Sequence, residues 1–161
     1  MIPKKEEPIL NSRFATHDTF VVEKVYDERP DRVYAAWSDP NIKSQWFAKA
    51  KEFDFRVGGH ESNVGGPPGG PVYRFNARYE EIVPNERIVY TYTMDMNETR
   101  ISVSVTTVEF KQEDIGTCLI FTEQGAFLDG HDTAEAREHG TKIMLDKLGE
   151  VLKLESITEK S

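Results

Sequence analysis

The sequence has one cysteine, no run of lysine and arginine, and no long apolar stretch. Each shortage removes a class of protein. A lone Cys118 has no partner within the chain, so no internal disulfide supports the fold. Lys and Arg number 20 against 28 Asp and Glu, a formal net charge of −8. Neutralising phosphates needs a basic face, so a nucleic-acid partner is not expected, and anionic membrane surfaces repel such a chain. No apolar run approaches the roughly 18 to 20 residues that cross a bilayer. The opening Met1-Ile2-Pro3-Lys4-Lys5-Glu6-Glu7-Pro8 lacks the apolar core of a secretory signal. These absences predict a cytoplasmic protein with no membrane partner. Asn97-Glu98-Thr99 fits the glycosylation sequon, which a cytosolic chain never presents to the machinery.

What is present describes one domain. A chain of 161 residues can withdraw roughly 70% of its unfolded surface from water around a single core. Residues 1–17 mix prolines and charges without periodicity and are expected to form a flexible arm. The domain is expected over 18–155, and the polar stretch 156–161 as a flexible tail. No internal repeat or second domain is visible.

Along the chain the signals alternate in type. Thr19 to Tyr26 reads as a strand broken by Asp27-Glu28-Arg29-Pro30, and Val33, Tyr34 and Trp37 then recur at helical spacing. Asp39 caps a second short helix opened by Pro40, with Ile42 and Trp46 one turn apart. Phe53-Asp54-Phe55 resumes extended structure, and Gly58-Gly59 marks a turn or bulge. Gly65-Gly66-Pro67-Pro68-Gly69-Gly70-Pro71 reads as a hairpin loop. It lacks the Gly-Lys-Ser/Thr tail and following helix of a phosphate-binding loop.

Strands are predicted over 72–83, 87–96, 100–111 and 116–124, joined by short turns into an antiparallel meander. In the first of these, Tyr73, Phe75, Ala77 and Tyr79 share a dry face while Arg74, Asn76, Arg78 and Glu80 share a wet one. The last segment supplies a cover: a capping box of Asp132 and Glu135 opens a helix whose stripe is Ala136, Gly140, Ile143, Met144, Leu148, Val151 and Leu152. Gly140 inside it costs ~1 kcal/mol relative to alanine, which implies either close backbone approach or vacated volume.

With the order β-α-α-β-meander-α in hand, three stretches carry a family resemblance. They are Pro30 to Pro40 with Trp46-Phe47, Phe55-Arg56-Val57-Gly58-Gly59, and Tyr79 to Thr91. Over about residues 19 to 154 the chain resembles proteins similar to the C-terminal domain of the activator of the heat-shock protein 90 ATPase, in the START-like (SRPBCC) superfamily. The resemblance implies an α+β helix-grip fold, a curved antiparallel sheet of five or six meandering strands wrapped around a long C-terminal helix. Relatives of this type include co-chaperone domains, small-molecule binders and self-resistance proteins. The family commonly opens the final helix with Gly-Trp where this chain has Gly140-Thr141. The smaller residue either widens the pocket or makes its entrance more polar, so no family ligand carries over.

In that fold the space between sheet and final helix can hold an apolar ligand. From the helices and the first extended segments, Trp46, Phe47, Phe53 and Phe55 can reach it. From the meander come Tyr73, Phe75, Tyr79, Tyr90, Tyr92 and Phe121, and from the helix Met144 and Leu148. Each either lines a cavity or fills the core, and the sequence leaves both open. Arg56, His60 and Glu61 near the glycine turn, and Glu123 and His131 at the other end, are the polar groups able to orient a ligand head group or act as acid and base.

No catalytic residue is assigned, because no nucleophile motif or paired-carboxylate spacing accompanies them. Glu135 and His139 share one side of a helix but lack further ligands, so no metal or cofactor is predicted. Cys118 is expected as a small core residue. The expected function is cofactor-free binding of a hydrophobic small molecule. The alternatives are a protein-interaction module docking on a chaperone ATPase and a cyclase or dehydratase-type enzyme. Monomer and homodimer both remain open.

Overall fold

The structure, a computed structural model, describes residues 13–160, with side chains through residue 156. Alternating side chains and short turns build a meander of six strands: β2 (Glu52–Phe53), β3 (His60–Gly65), β4 (Tyr73–Val83), β5 (Arg87–Met96), β6 (Thr99–Glu113) and β7 (Gly116–Leu128). β1 (Ala15–Tyr26) closes the other edge antiparallel to β7, so the sheet runs β1-β7-β6-β5-β4-β3-β2. The loop between β3 and β4 is the glycine-proline cluster, as its composition requires.

The stretch expected as an arm over 1–17 ends in strand β1. Residues 1–12 lie outside the described residues, but Ala15, Thr16 and His17 already pair with Leu128, Phe127 and Ala126 of β7. The stretch lacks apolar periodicity because the backbone ladder, not side-chain burial, holds it. Phe14 N–H donates to Asp129 Oδ1 at 2.9 Å, and Asp129 N–H donates back to the Phe14 carbonyl at 2.8 Å.

The glycine turn before β3 is stitched to β4: Gly58 N–H donates to the Tyr79 carbonyl at 2.8 Å, and Tyr79 N–H donates to the Gly59 carbonyl at 3.0 Å. Gly58 has φ +84°, and a Cβ on Gly59 would lie 2.1 Å from the Asp54 carbonyl oxygen. The backbone approach excludes any side chain. Gly59→Ala is therefore expected to destabilise the domain by more than the ~1 kcal/mol scale of a compatible glycine substitution. The midpoint of urea unfolding measures it.

Two short helices follow β1. α1 (Pro30–Ser38) starts on Pro30, and α2 (Pro40–Lys43) is capped by Asp39, whose carboxylate accepts from Asn41 N–H at 2.8 Å and Ile42 N–H at 3.4 Å. The long α3 (Ala134–Lys160) differs from expectation at both ends. Thr133, not Asp132, caps it, with Oγ1 accepting Ala136 N–H at 3.1 Å. The Asp132 carboxylate is instead bound by Thr133 N–H and the Arg137 guanidinium. The expected tail is helical through Lys160, since an established helix propagates while no breaker intervenes. Ser161 lies outside the described residues.

Helix α3 packs with Leu145, Leu148, Val151 and Leu152 buried against the sheet. Tyr26 O–H donates to the Leu145 carbonyl at 2.7 Å, tying the helix to β1. Ile143, expected on the apolar stripe, is exposed; at about 100° per residue it lies two positions round from Thr141, on the far side of the helix.

Strand polarity brings a second surprise. In β6 the hydroxyl residues Ser102, Ser104 and Thr106 are buried on the inner face, while Val103 and Val105 are exposed on the outer one. Cys118 of β7 is also turned outward, half-buried with Ile120, because Thr117, Leu119 and Phe121 take the inner positions. Partial burial, then Glu113 and Glu23, push its thiol pKa up, so it is neither a core residue nor an activated thiolate.

Candidate functional site

The sheet bends away from the N-terminal half of α3 and leaves a cavity of about 330 Å³ there. Phe47, Tyr73, Phe75, Tyr90, Tyr92, Phe121 and Met144 line it, together with Glu123. The sequence had nominated all eight, and their cavity position is a geometric fact separate from any role in binding.

Other nominated residues lie elsewhere. The C-terminal half of α3 packs directly on the sheet, so Leu148 is fully buried core. Trp46 meets Trp37 edge-on at 4.8 Å between ring centroids and donates its indole N–H to the Ala36 carbonyl at 2.9 Å. Phe53 stacks on Phe55 at 6.1 Å, and Phe55 meets Tyr79 at 4.8 Å, outside the cavity lining. Arg56 is exposed and pairs with Asp54 at 2.9 Å. His60 and His131 are exposed, His60 opposite Arg78 in the register and His131 in the turn after β7. Glu61 is buried but serves another cluster, described below.

Gly140 and Thr141, which the sequence tied to the pocket's width, also line the cavity, as do walls not nominated from the sequence: Met94, Ile101, Asp132, Ala136 and Arg137. Arg137 matters most, because it ties the helix to the sheet across the cavity's polar end. Its Nη1 donates to Tyr92 Oη at 2.6 Å and to Glu123 Oε2 at 3.2 Å. Its Nη2 donates to Ser102 Oγ at 2.8 Å and to Asp132 Oδ2 at 2.8 Å, and Nε donates to Asp132 at 3.2 Å. Glu123, 1% exposed, also accepts from the Tyr92 hydroxyl at 2.6 Å and the Ser104 hydroxyl at 2.8 Å. Burial opposes the guanidinium's charge, but Tyr92, Glu123 and Asp132 outweigh it and hold the Arg137 pKa above its ordinary value. Burial first, then the Glu123 charge, raise the Tyr92 pKa, so its hydroxyl keeps its proton. The inward hydroxyls of β6 supply two of the partners in this network.

A second buried polar cluster lies behind Phe47. Lys43 of α2, 6% exposed, donates to Glu61 Oε1 at 2.7 Å, and the Tyr79 hydroxyl donates to the same oxygen. The rings of Trp37, Trp46, Phe47 and Phe53 surround the ammonium, with centroids 5.4, 6.0, 5.1 and 5.5 Å away. Burial lowers the Lys43 pKa and Glu61 works against that shift. Glu61 Oε2 has no partner among the described residues. This cluster anchors α2 to β3 and β4.

Among the described residues no group of three His, Cys, Asp or Glu is placed to hold a metal ion, and no helix is long and apolar enough to cross a membrane.

A curved antiparallel sheet gripping a C-terminal helix over a lined cavity defines the START-like, helix-grip class, a fold suited to ligand binding. The chain belongs to the family described as activator of Hsp90 ATPase homolog 1-like protein, which matches residues 27–153. It is similar to an uncharacterized protein from Rhizobium leguminosarum, at 45% identity and a TM-score of 0.83 over 89% of this chain and 99% of that one. A second similar structure is Mll3558 from Rhizobium loti, at 41% identity and a TM-score of 0.81 over 86% of this chain and 99% of the other. CalU16 from Micromonospora echinospora shares the fold at 20% identity and a TM-score of 0.61, over 92% of this chain and 90% of that one. No curated protein matches the chain.

Proposed function

We propose that the protein binds an apolar, aromatic small molecule in the cavity beneath the N-terminal half of α3, without a cofactor. The observation that carries this reading is Gly140. It lines the cavity at an exposed position, and a Cβ placed there meets nothing within 4 Å. A glycine inside a helix costs ~1 kcal/mol relative to alanine, and here no close backbone approach offsets the cost. Of the two explanations open to the sequence, close backbone approach is absent, which leaves open space on the exposed side of the cavity. The aromatic lining supports the reading, since small-molecule pockets combine such surfaces with a few placed polar groups.

The test is a thermal-shift and native mass-spectrometry screen with neutral aromatic compounds. Gly140→Ala is expected to raise stability by ~1 kcal/mol through helix propensity. Gly140→Phe is expected to fill the space and abolish the shift produced by any ligand found. If no aromatic compound stabilises the wild-type protein, or if Gly140→Phe leaves binding intact, the cavity is not the receptor.

A further inference from the structure

The polar end of the cavity has a donor and acceptor inventory with one opening. Arg137 makes five hydrogen bonds, from Nη1 to Tyr92 and Glu123, from Nη2 to Ser102 and Asp132, and from Nε to Asp132. Asp132 is likewise occupied, Oδ1 by Thr133 N–H and Oδ2 by Arg137. On Glu123 the three bonds from Tyr92, Ser104 and Arg137 all converge on Oε2. Its Oε1 accepts none from the described residues, although the side chain is 2% exposed and lines the cavity. Glu123, Asp132 and Arg137 are the charged residues of the lining, two carboxylates against one guanidinium.

We propose that the cavity recognises its ligand through a hydrogen-bond donor, a hydroxyl or an amine on an aromatic frame, received by Glu123 Oε1, and that it turns away carboxylates. The unused valence is an acceptor, so only a donor completes it. The excess negative charge of the wall repels an anionic head group, and beside a carboxylate as deeply buried as Glu123 that repulsion is weakly screened. This inference rests on the binding reading above and adds the ligand's chemistry to it.

The experiment is isothermal titration of the full chain at neutral pH with three compounds of one shape: 2-naphthol, 2-methoxynaphthalene and 2-naphthoate. The naphthol is expected to bind about tenfold more tightly than the methoxy compound, the scale of a hydrogen bond to a charged acceptor. The naphthoate is expected to be weaker again. Glu123→Gln is expected to narrow the gap between naphthol and naphthoate, because it removes the repelling charge while keeping the side chain's shape. The wild-type series stands on its own if that variant folds poorly. Naphthoate binding as well as naphthol, or naphthol no better than its methyl ether, overturns the donor requirement and leaves the binding reading in place. Binding by none of the three, with no response to Gly140→Phe in a wider screen, overturns both.

Discussion

Glu61→Ala is expected to lower stability by about 3 to 5 kcal/mol, the cost of leaving one member of a buried ion pair without its partner. For a domain of this length each kcal/mol moves the midpoint by about 2 to 4 °C, so a fall in Tm of roughly 6 to 20 °C follows. The size comes from the environment of Lys43. Its ammonium is 6% exposed among four aromatic rings, and Glu61 is the carboxylate it donates to. Ring quadrupoles supply about 0.5 to 2 kcal/mol each at best and do not replace a carboxylate. The cluster as a whole is another matter. Glu61 Oε2 is unsatisfied, so the network is incomplete as built. Replacing all three members by apolar residues, Lys43→Met with Glu61→Leu and Tyr79→Phe, is expected to recover most of what the single change loses. Differential scanning calorimetry of the single and triple variants decides it. A Glu61→Ala protein melting within about 2 °C of wild type shows that the pair contributes little.

Arg137→Met is expected to be nearly as costly, about 3 kcal/mol or more, and for a related reason. It strands Glu123, 1% exposed, and releases Asp132 and Ser102 together. Its readout differs from that of the first prediction because Arg137 joins α3 to three strands at the cavity's polar end, with Tyr92 on β5, Ser102 on β6 and Glu123 on β7. Amide exchange in the first two turns of α3 is expected to speed up more than exchange near Leu148 and Leu152, which packing alone holds. Pairing Arg137→Met with Glu123→Gln is expected to restore part of the loss, and the resulting double-mutant cycle measures the coupling. Additive effects of the two changes contradict a shared network.

The architecture was largely readable because its determinants are local. Gly58-Gly59, the Gly65 to Pro71 cluster and Asp39-Pro40 each stop or start an element through backbone chemistry that works within a few residues. Pairings between distant segments were harder. β1 extends to Ala15 because β7 is long enough to pair with it, and nothing in Ala15-Thr16-His17-Asp18 announces a strand. Asp132 looked like a cap because its spacing to Glu135 fits, but Arg137 competes for the same carboxylate and Thr133 takes over the capping.

The site divides the same way. Aromatics at alternating positions were recognisable as inward-facing, but which of them border open space depends on where α3 stops touching the sheet. Glu123 was nominated and its partner was not. Arg137 did carry a signal: it lies four residues before Thr141 and eight before Leu145, in line with the buried side of the helix. A charge on that line facing a carboxylate on the dry side of β7 calls for a pair. Glu61 and Lys43 offered less, since α2 is a single turn and its facing cannot be read from periodicity.

The first half of β6 ties the chemistry of the interior to its neighbours. Ser102, Ser104 and Thr106 contribute small hydroxyls where a conventional strand would place bulk, while the neighbouring ladders to β5 and β7 run through the backbone. Exchanging hydroxyl for methyl at Ser102 takes an acceptor from Arg137, and at Ser104 a donor from Glu123, so a change of a single atom on one strand is felt on α3 and β7 although the backbone ladders stay as they are.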